Sequence, residues 1–194
     1  MLYDFGCSMS QFCRHSVGPI FGRRAEGHHI FCEACCNSTR LCNGNLKCDK
    51  PLVQNSNDII HRITSNGNHE LRIDLSDFEG THKYAKYSSF NVGDEWSEYP
   101  LHVANYSGDV GNILMSPAQP HNGMQFSTVD HARDNCAATY KGGWWYASCH
   151  VANLNGRYLS GYHDSYADGI DVFTFRGGHY SLKTVTMMIT KINL

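Results

Sequence analysis

The run NCAATYKGGWWYASCHV, Asn135–Val151, constrains the fold of this chain more than any other stretch. Cys136 and Cys149 bracket a short loop crowded with Trp144, Trp145 and Tyr146, which leads into the Asn-rich turn NLNGRYL at Asn153–Leu159. A disulfide across that loop would pin these rings and His150 beside an exposed turn. Aromatic faces with a few fixed polar groups, held by a covalent staple, suit recognition of a small amphipathic ligand better than they suit catalysis.

The remaining cysteines are placed very unevenly. Of nine, seven fall at 7, 13, 32, 35, 36, 42 and 48. Dense cysteines in a short segment usually replace a core too small to fold alone, which points to an oxidising, extracellular setting. Zinc is the rival reading, from Cys32, Cys35 and Cys36 with His28 and His29 nearby, although a second well-spaced ligand pair is missing. Seven is odd, leaving one thiol free or available to join a second chain. The sequons Asn37-Ser38-Thr39 and Asn105-Tyr106-Ser107 agree with secretion. MLYDFGCSMSQFC has neither the basic start nor the apolar run of a signal peptide, so a secreted chain is expected to begin further upstream. No stretch is long and apolar enough to span a membrane. A net charge of −2 gives no reason to expect nucleic-acid binding.

A boundary is expected at the polar stretch Pro51–Asn57, dividing a cysteine-rich segment (1–50) from a domain over 57–194. Asn57–Ser65 reads as a helix capped by Asn57 or Asp58. His69–Leu75 alternates Leu71, Ile73 and Leu75 against Glu70, Arg72 and Asp74, the pattern of a half-buried strand. Thr81–Val92, Leu101–Tyr106 and His179–Ile192 are further strands; in Thr81–Val92 the apolar spacing through Tyr84, Tyr87 and Phe90 is irregular. Between Ser107 and Gly178 regular structure should be scarce, and long ordered loops are usually functional or stapled.

The segments HELRIDLSDFEGTHKYAKYSSFNVGDE, YSGDVG, HNGMQFST, NCAATYKGGWWYASCHVANLNGRYLSG, SYADGI and GGHYSLKTVTMMI, in that order, resemble the fibrinogen C-terminal-like domain found in ficolins, tachylectins, tenascins and angiopoietins. The resemblance covers 57–194 and implies an α+β domain with a central antiparallel sheet and a loop-rich distal lobe. Family domains begin with a further segment that this stretch does not match, so the domain is expected to be N-terminally truncated. Residues 1–48, through CEACCN and Cys42-Asn43, weakly resemble part of a three-finger cysteine-rich domain. Val172 and Phe175 stand where family members often carry tryptophans.

Carried over by motif, the resemblance implies a disulfide between Cys136 and Cys149 and a pocket beside it that recognises N-acetyl groups. Tyr140, His150 and Tyr166 would line that pocket. Relatives often have a cis peptide just before the second cysteine, here Ser148–Cys149. Each site residue also has a plainer role open to it: Tyr140 and Tyr166 can pack loops, His150 can cap a turn, and Trp144 and Trp145 suit the core. The family's calcium loop corresponds to FSTVDHARDNC, with Asp130 and Asp134, in a shortened form. The expected protein is a secreted lectin-like module for acetylated glycans on microbial surfaces, or a receptor- or matrix-binding module of angiopoietin or tenascin type. No phosphate loop, nucleophile elbow or catalytic carboxylate pair is present, so no enzyme activity is expected.

Overall fold

Alternation of apolar and polar residues builds the central sheet. The computed structural model describes residues 2–4 and 56–192; the expectations for the cysteine-rich segment, its zinc alternative, its odd thiol, Asn37 and the three-finger likeness lie outside them. Strand β1 (Leu2–Asp4) is followed by helix α1 (Ser56–Thr64), β2 (His69–Ser76), β3 (His82–Val92) and β4 (Leu101–Gly108). Helix α2 (Cys136–Tyr140) and two-residue strands β5 (Ala152–Asn153), β6 (Gly161–Tyr162), β7 (Asp171–Val172) and β8 (Tyr180–Ser181) come next. The last strand is β9 (Thr184–Lys191).

Five strands pair antiparallel in the order β1-β9-β2-β3-β4. Leu71, Ile73 and Leu75 from β2 and Val185, Met187 and Ile189 from β9 are all buried on one face, as period-two patterning requires. Helix α1 packs on β3 through Ile60, and Thr64 Oγ1 receives the Val92 N–H at 3.2 Å. The helix starts at Ser56, one residue before Asn57 and two before Asp58, the expected caps. Asp58 is instead held by the Tyr99 hydroxyl, which donates to its Oδ1 at 2.5 Å.

The irregular spacing in β3 has a structural cause. Ala85 and Tyr87 face the core, and so do Phe90 and Val92, so the pleat changes phase between them. The β3–β4 register is the same on either side, Tyr87 opposite Tyr106 and Ser89 opposite Ala104, yet the ladder omits Ser88 and Asn105. Asn105 has φ 56, the left-handed region, which turns its peptide out of the ladder.

The expected strand His179–Ile192 is two strands. Tyr180–Ser181 joins the β6–β8 ribbon, the chain turns at Leu182 and Lys183, and Thr184 enters the main sheet. Lys183 N–H donates to Ser76 O at 2.9 Å, and Leu182 N–H to Ile170 O at 2.9 Å, so this corner ties the sheet to the distal loops. A second tie runs from the end of β2. Arg176 pairs with Asp77, which is fully buried on its side chain. Burial alone would raise the Asp77 carboxyl, but the Arg176 and Thr81 hydrogen bonds outweigh it and hold it at about 2.

Candidate functional site

Trp144 and Trp145 form the floor under the distal loops rather than a ligand surface. Both are fully buried, edge to face with centroids 5.2 Å apart. Trp145 Nε1 donates to Tyr99 O at 2.8 Å, and His121 Nδ1 lies 2.7 Å from Trp145 O. Burial lowers the His121 pKa to about 4, so the ring is neutral.

On this floor sits the stapled loop. Cys136 opens α2, and its bond to Cys149 closes thirteen residues. Tyr140 ends α2, where Lys141 adopts φ 62 and stops the helix. The Ser148–Cys149 peptide is cis. Gln119 Nε2 donates to Ser148 O at 2.9 Å, and Ala147 N–H to Cys149 O at 2.8 Å.

These elements enclose a cavity of ≈ 320 Å³ lined by Ala118, Gln119, Tyr140, Ser148, Cys149, His150, Val151, Tyr166, Ala167 and Phe173. The three residues picked out from sequence, Tyr140, His150 and Tyr166, are all among them. His150 is 5% exposed, with its ring 4.6 Å from Tyr140, 5.8 Å from Tyr146 and 6.0 Å from Phe173. Among the described residues neither ring nitrogen has a side-chain hydrogen-bond partner, and the Ala167 backbone is the one polar group set against the ring. Burial first, and the neighbouring His121 second, lower its pKa to about 4, with the Ala167 backbone opposing weakly. At neutral pH it therefore carries one N–H and one lone pair, both buried in the wall, so a ligand reaches them only if the ring or its cover shifts. Tyr166 is 57% exposed and leans on Phe173 at 5.9 Å and His179 at 5.1 Å.

The far wall is positioned from behind. Gly156 in the Asn-rich turn packs so closely that a Cβ there would overlap the Gly169 carbonyl. Arg157 N–H donates to Asp168 O at 2.9 Å, and Asp168 is the neighbour of Ala167. Ala167 N–H donates to Gly178 O at 2.6 Å. Behind it, His163 Nε2 lies 3.3 Å from Asp171 Oδ1, and burial raises the Asp171 pKa.

Gln119, Val151, Ala167 and Phe173 are wall residues that the sequence reading passed over. Phe173 sits between the two positions flagged for departing from the family. Val172 is fully buried, and Phe175 packs beside the core beneath Lys183 and Arg176. Alternation through DVFTF, with Val172 inward, was the available signal for an outward Phe173. No lining side chain is an acid, a lysine or an arginine.

Asp130 and Asp134 are brought near α2 but not into this cavity. Asp130 Oδ1 accepts from the Thr128 hydroxyl at 2.7 Å, and Asp134 Oδ1 from Cys136 N–H at 2.8 Å. Among the described residues no three His, Cys, Asp or Glu side chains gather as a metal site. Calcium takes about six to eight oxygens, so these two carboxylates would supply only part of a shell.

The whole arrangement matches known proteins. Residues 14–192 match the family described as fibrinogen beta and gamma chains, C-terminal globular domain. The chain belongs to that family. The match begins inside the cysteine-rich segment, upstream of the 57–194 stretch that carries the sequence resemblance. Techylectin-5A of Tachypleus tridentatus is 46% identical over 153 residues, covering 77% of this chain and 50% of that protein. The fibrinogen-like globe domain of human ANGPTL6 superposes with a TM-score of 0.65 at 38% identity, covering 71% of this chain and 63% of that one. Lamprey fibrin D-dimer, complexed with the peptide ligand Gly-His-Arg-Pro-amide, gives a TM-score of 0.66 at 35% identity, covering 71% of this chain and 50% of that one. The chain thus spans about half the length of Techylectin-5A. Domains of this family are generally recognition modules without enzymatic activity, and its members are typically secreted or extracellular. No helix among the described residues is long and apolar enough to cross a membrane.

Proposed function

We propose that the protein is a secreted recognition module whose cavity binds the acetamido group of acetylated carbohydrates. The observation that carries this reading is the neutral His150, without a side-chain partner among the described residues, at an aromatic wall free of charged side chains. An acetyl methyl would rest on the faces of Tyr140 and Phe173. Its carbonyl would accept an N–H near Cys149–His150, and its amide N–H would meet His150 or a tyrosine hydroxyl. A charged ligand would find no counter-ion among the lining residues. One such contact buries little surface, so affinity per pocket is weak, and useful retention needs several copies on a dense glycan surface. Immobilised N-acetylglucosamine should retain the chain, and free N-acetylglucosamine should elute it. Retention that survives Tyr140→Ala combined with His150→Ala would overturn the assignment.

A second reading is a receptor- or matrix-binding module of angiopoietin or tenascin type. It is favoured by two exposed aromatics, Trp96 at 97% between β3 and β4 and Tyr162 at 76% on β6, and by the likeness to the ANGPTL6 globe. It predicts protein capture that excess N-acetylglucosamine leaves unchanged. Calcium at Asp130 and Asp134 is a separate proposal with a stabilising role, backbone carbonyls of the 128–134 loop completing the shell. Millimolar calcium should raise Tm, and Asp130→Asn should remove the rise; no rise in the wild-type chain refutes it.

A further inference from the structure

Asn105 is the acceptor of an Asn-Tyr-Ser sequon, and its surroundings point to a use for it. It lies on β4, the last strand of the five, which among the described residues pairs only with β3. The outer side of the first half of β4 is closed by the chain at 122–124. Leu101 N–H donates to Met124 O at 3.0 Å, Gly123 N–H to Leu101 O at 2.7 Å, and Val103 N–H to Asn122 Oδ1 at 2.8 Å. Past Val103 no backbone partner of this kind is found for the outer side among the described residues. Among the described residues that half of the strand, Ala104–Gly108, is an open edge of the sort that pairs with a second chain. It carries neither a lysine nor a proline, and its one irregularity is the left-handed backbone at Asn105.

Asn105 sits in the middle of this open half. Its side chain is exposed, and so are Ser107 and Gly108. Its φ of 56 takes it out of the ladder opposite Ser88, so a group on its amide would project without breaking a sheet hydrogen bond. Asparagine is the residue, after glycine, that adopts this conformation most readily. None of the cavity's lining residues belongs to β3 or β4.

We propose that Asn105 is N-glycosylated and that the glycan covers the open half of β4, keeping the sheet edge from pairing with another copy. The proposal rests on passage through the secretory pathway, which is part of the reading above, and not on sugar binding. The test is to secrete the full chain from an animal cell behind a cleavable signal sequence. Non-reducing peptide mapping then establishes the Cys136–Cys149 bond, which shows that the chain traversed an oxidising compartment. Peptide-N-glycosidase digestion in heavy-oxygen water should convert Asn105 to labelled aspartate in the wild type, and Ser107→Ala should abolish that label. A secreted, disulfide-bonded chain with unmodified Asn105 overturns the proposal, whether or not Asn37 is modified. For the shielding role, the glycan is removed enzymatically from the folded protein, which avoids any effect on folding. Light scattering should then show self-association absent before digestion. Asn105→Gly, which keeps the left-handed backbone, should behave like the digested protein. Digested and glycosylated chains that remain equally monodisperse overturn the shielding role.

Discussion

His150 and His121 carry the most informative residue-level chemistry in this domain. Both are buried, and burial lowers both to about 4 from an ordinary value of 6.5. The unfolded chain therefore takes up more protons than the folded one between those values, and stability falls as pH drops from about 6.5 towards 4. Shifts of this size correspond to roughly 3 kcal/mol for each imidazole. Asp171 works in the opposite direction: burial raises its pKa, so the folded state holds its proton at pH values where the unfolded chain has lost it. Two histidines outweigh one carboxylate, and urea midpoints should decrease between pH 7 and pH 4.5. His150→Gln should remove more than half of that decrease, because Asp171 already offsets part of the two-histidine total. Sugar binding should follow the same titration, since a charged imidazole has no lone pair to offer. A midpoint that is flat across this range in the wild type contradicts the burial argument.

The staple and the ties behind it can be tested at the level of elements. The Cys136–Cys149 bond closes a loop of thirteen residues, and removing it with Cys136→Ser and Cys149→Ser should cost about 3 kcal/mol. Because Ser148–His150 then lose their anchor to α2, retention on N-acetylglucosamine should be lost even at temperatures where the variant is folded by circular dichroism. Arg176→Met leaves Asp77 buried without its cation. The pair is partly open to solvent on the Arg176 side, so the variant should lower the denaturant midpoint, by less than loss of a fully buried pair would. The same scale shows what was legible in the sequence. Strands β2 and β4 and helix α1 could be read within a few residues because one face of each is apolar at a regular period. Strand β3 was blurred where its pleat changes phase at Ser88, which depends on the backbone of Asn105 across the ladder. The end of the chain reads as one strand although its apolar spacing shifts phase between Leu182 and Val185, which is where the pairing divides it. The cavity residues that motifs marked, Tyr140, His150 and Tyr166, do come together. Phe173 was legible in the alternation through DVFTF, whereas Gln119 reaches the same wall from a loop held by its long-range hydrogen bond to Ser148 O, and no local pattern announces it.

At the scale of the whole molecule, charge and size set what binding can look like. With a net charge of −2 and an uncharged cavity wall, attraction to a neutral glycan owes little to Coulomb forces. Retention on N-acetylglucosamine should therefore change less than about twofold between low and near-molar salt, where the Debye length shrinks to about 3 Å. A steep salt dependence would place the contact on a charged surface elsewhere. A single acetamido contact should dissociate at around millimolar concentration. Sharp retention on dense surfaces then reports many copies acting together, not a tight site. The most direct measurement is a titration of isotope-labelled chain with N-acetylglucosamine, and with glucose as the control, followed by amide and imidazole resonances. The acetylated sugar alone should shift Cys149, His150 and Ala167, with saturation near millimolar. Equal shifts from glucose, or shifts that leave those three residues untouched, would show that the cavity beside the disulfide is not where this protein meets its ligand.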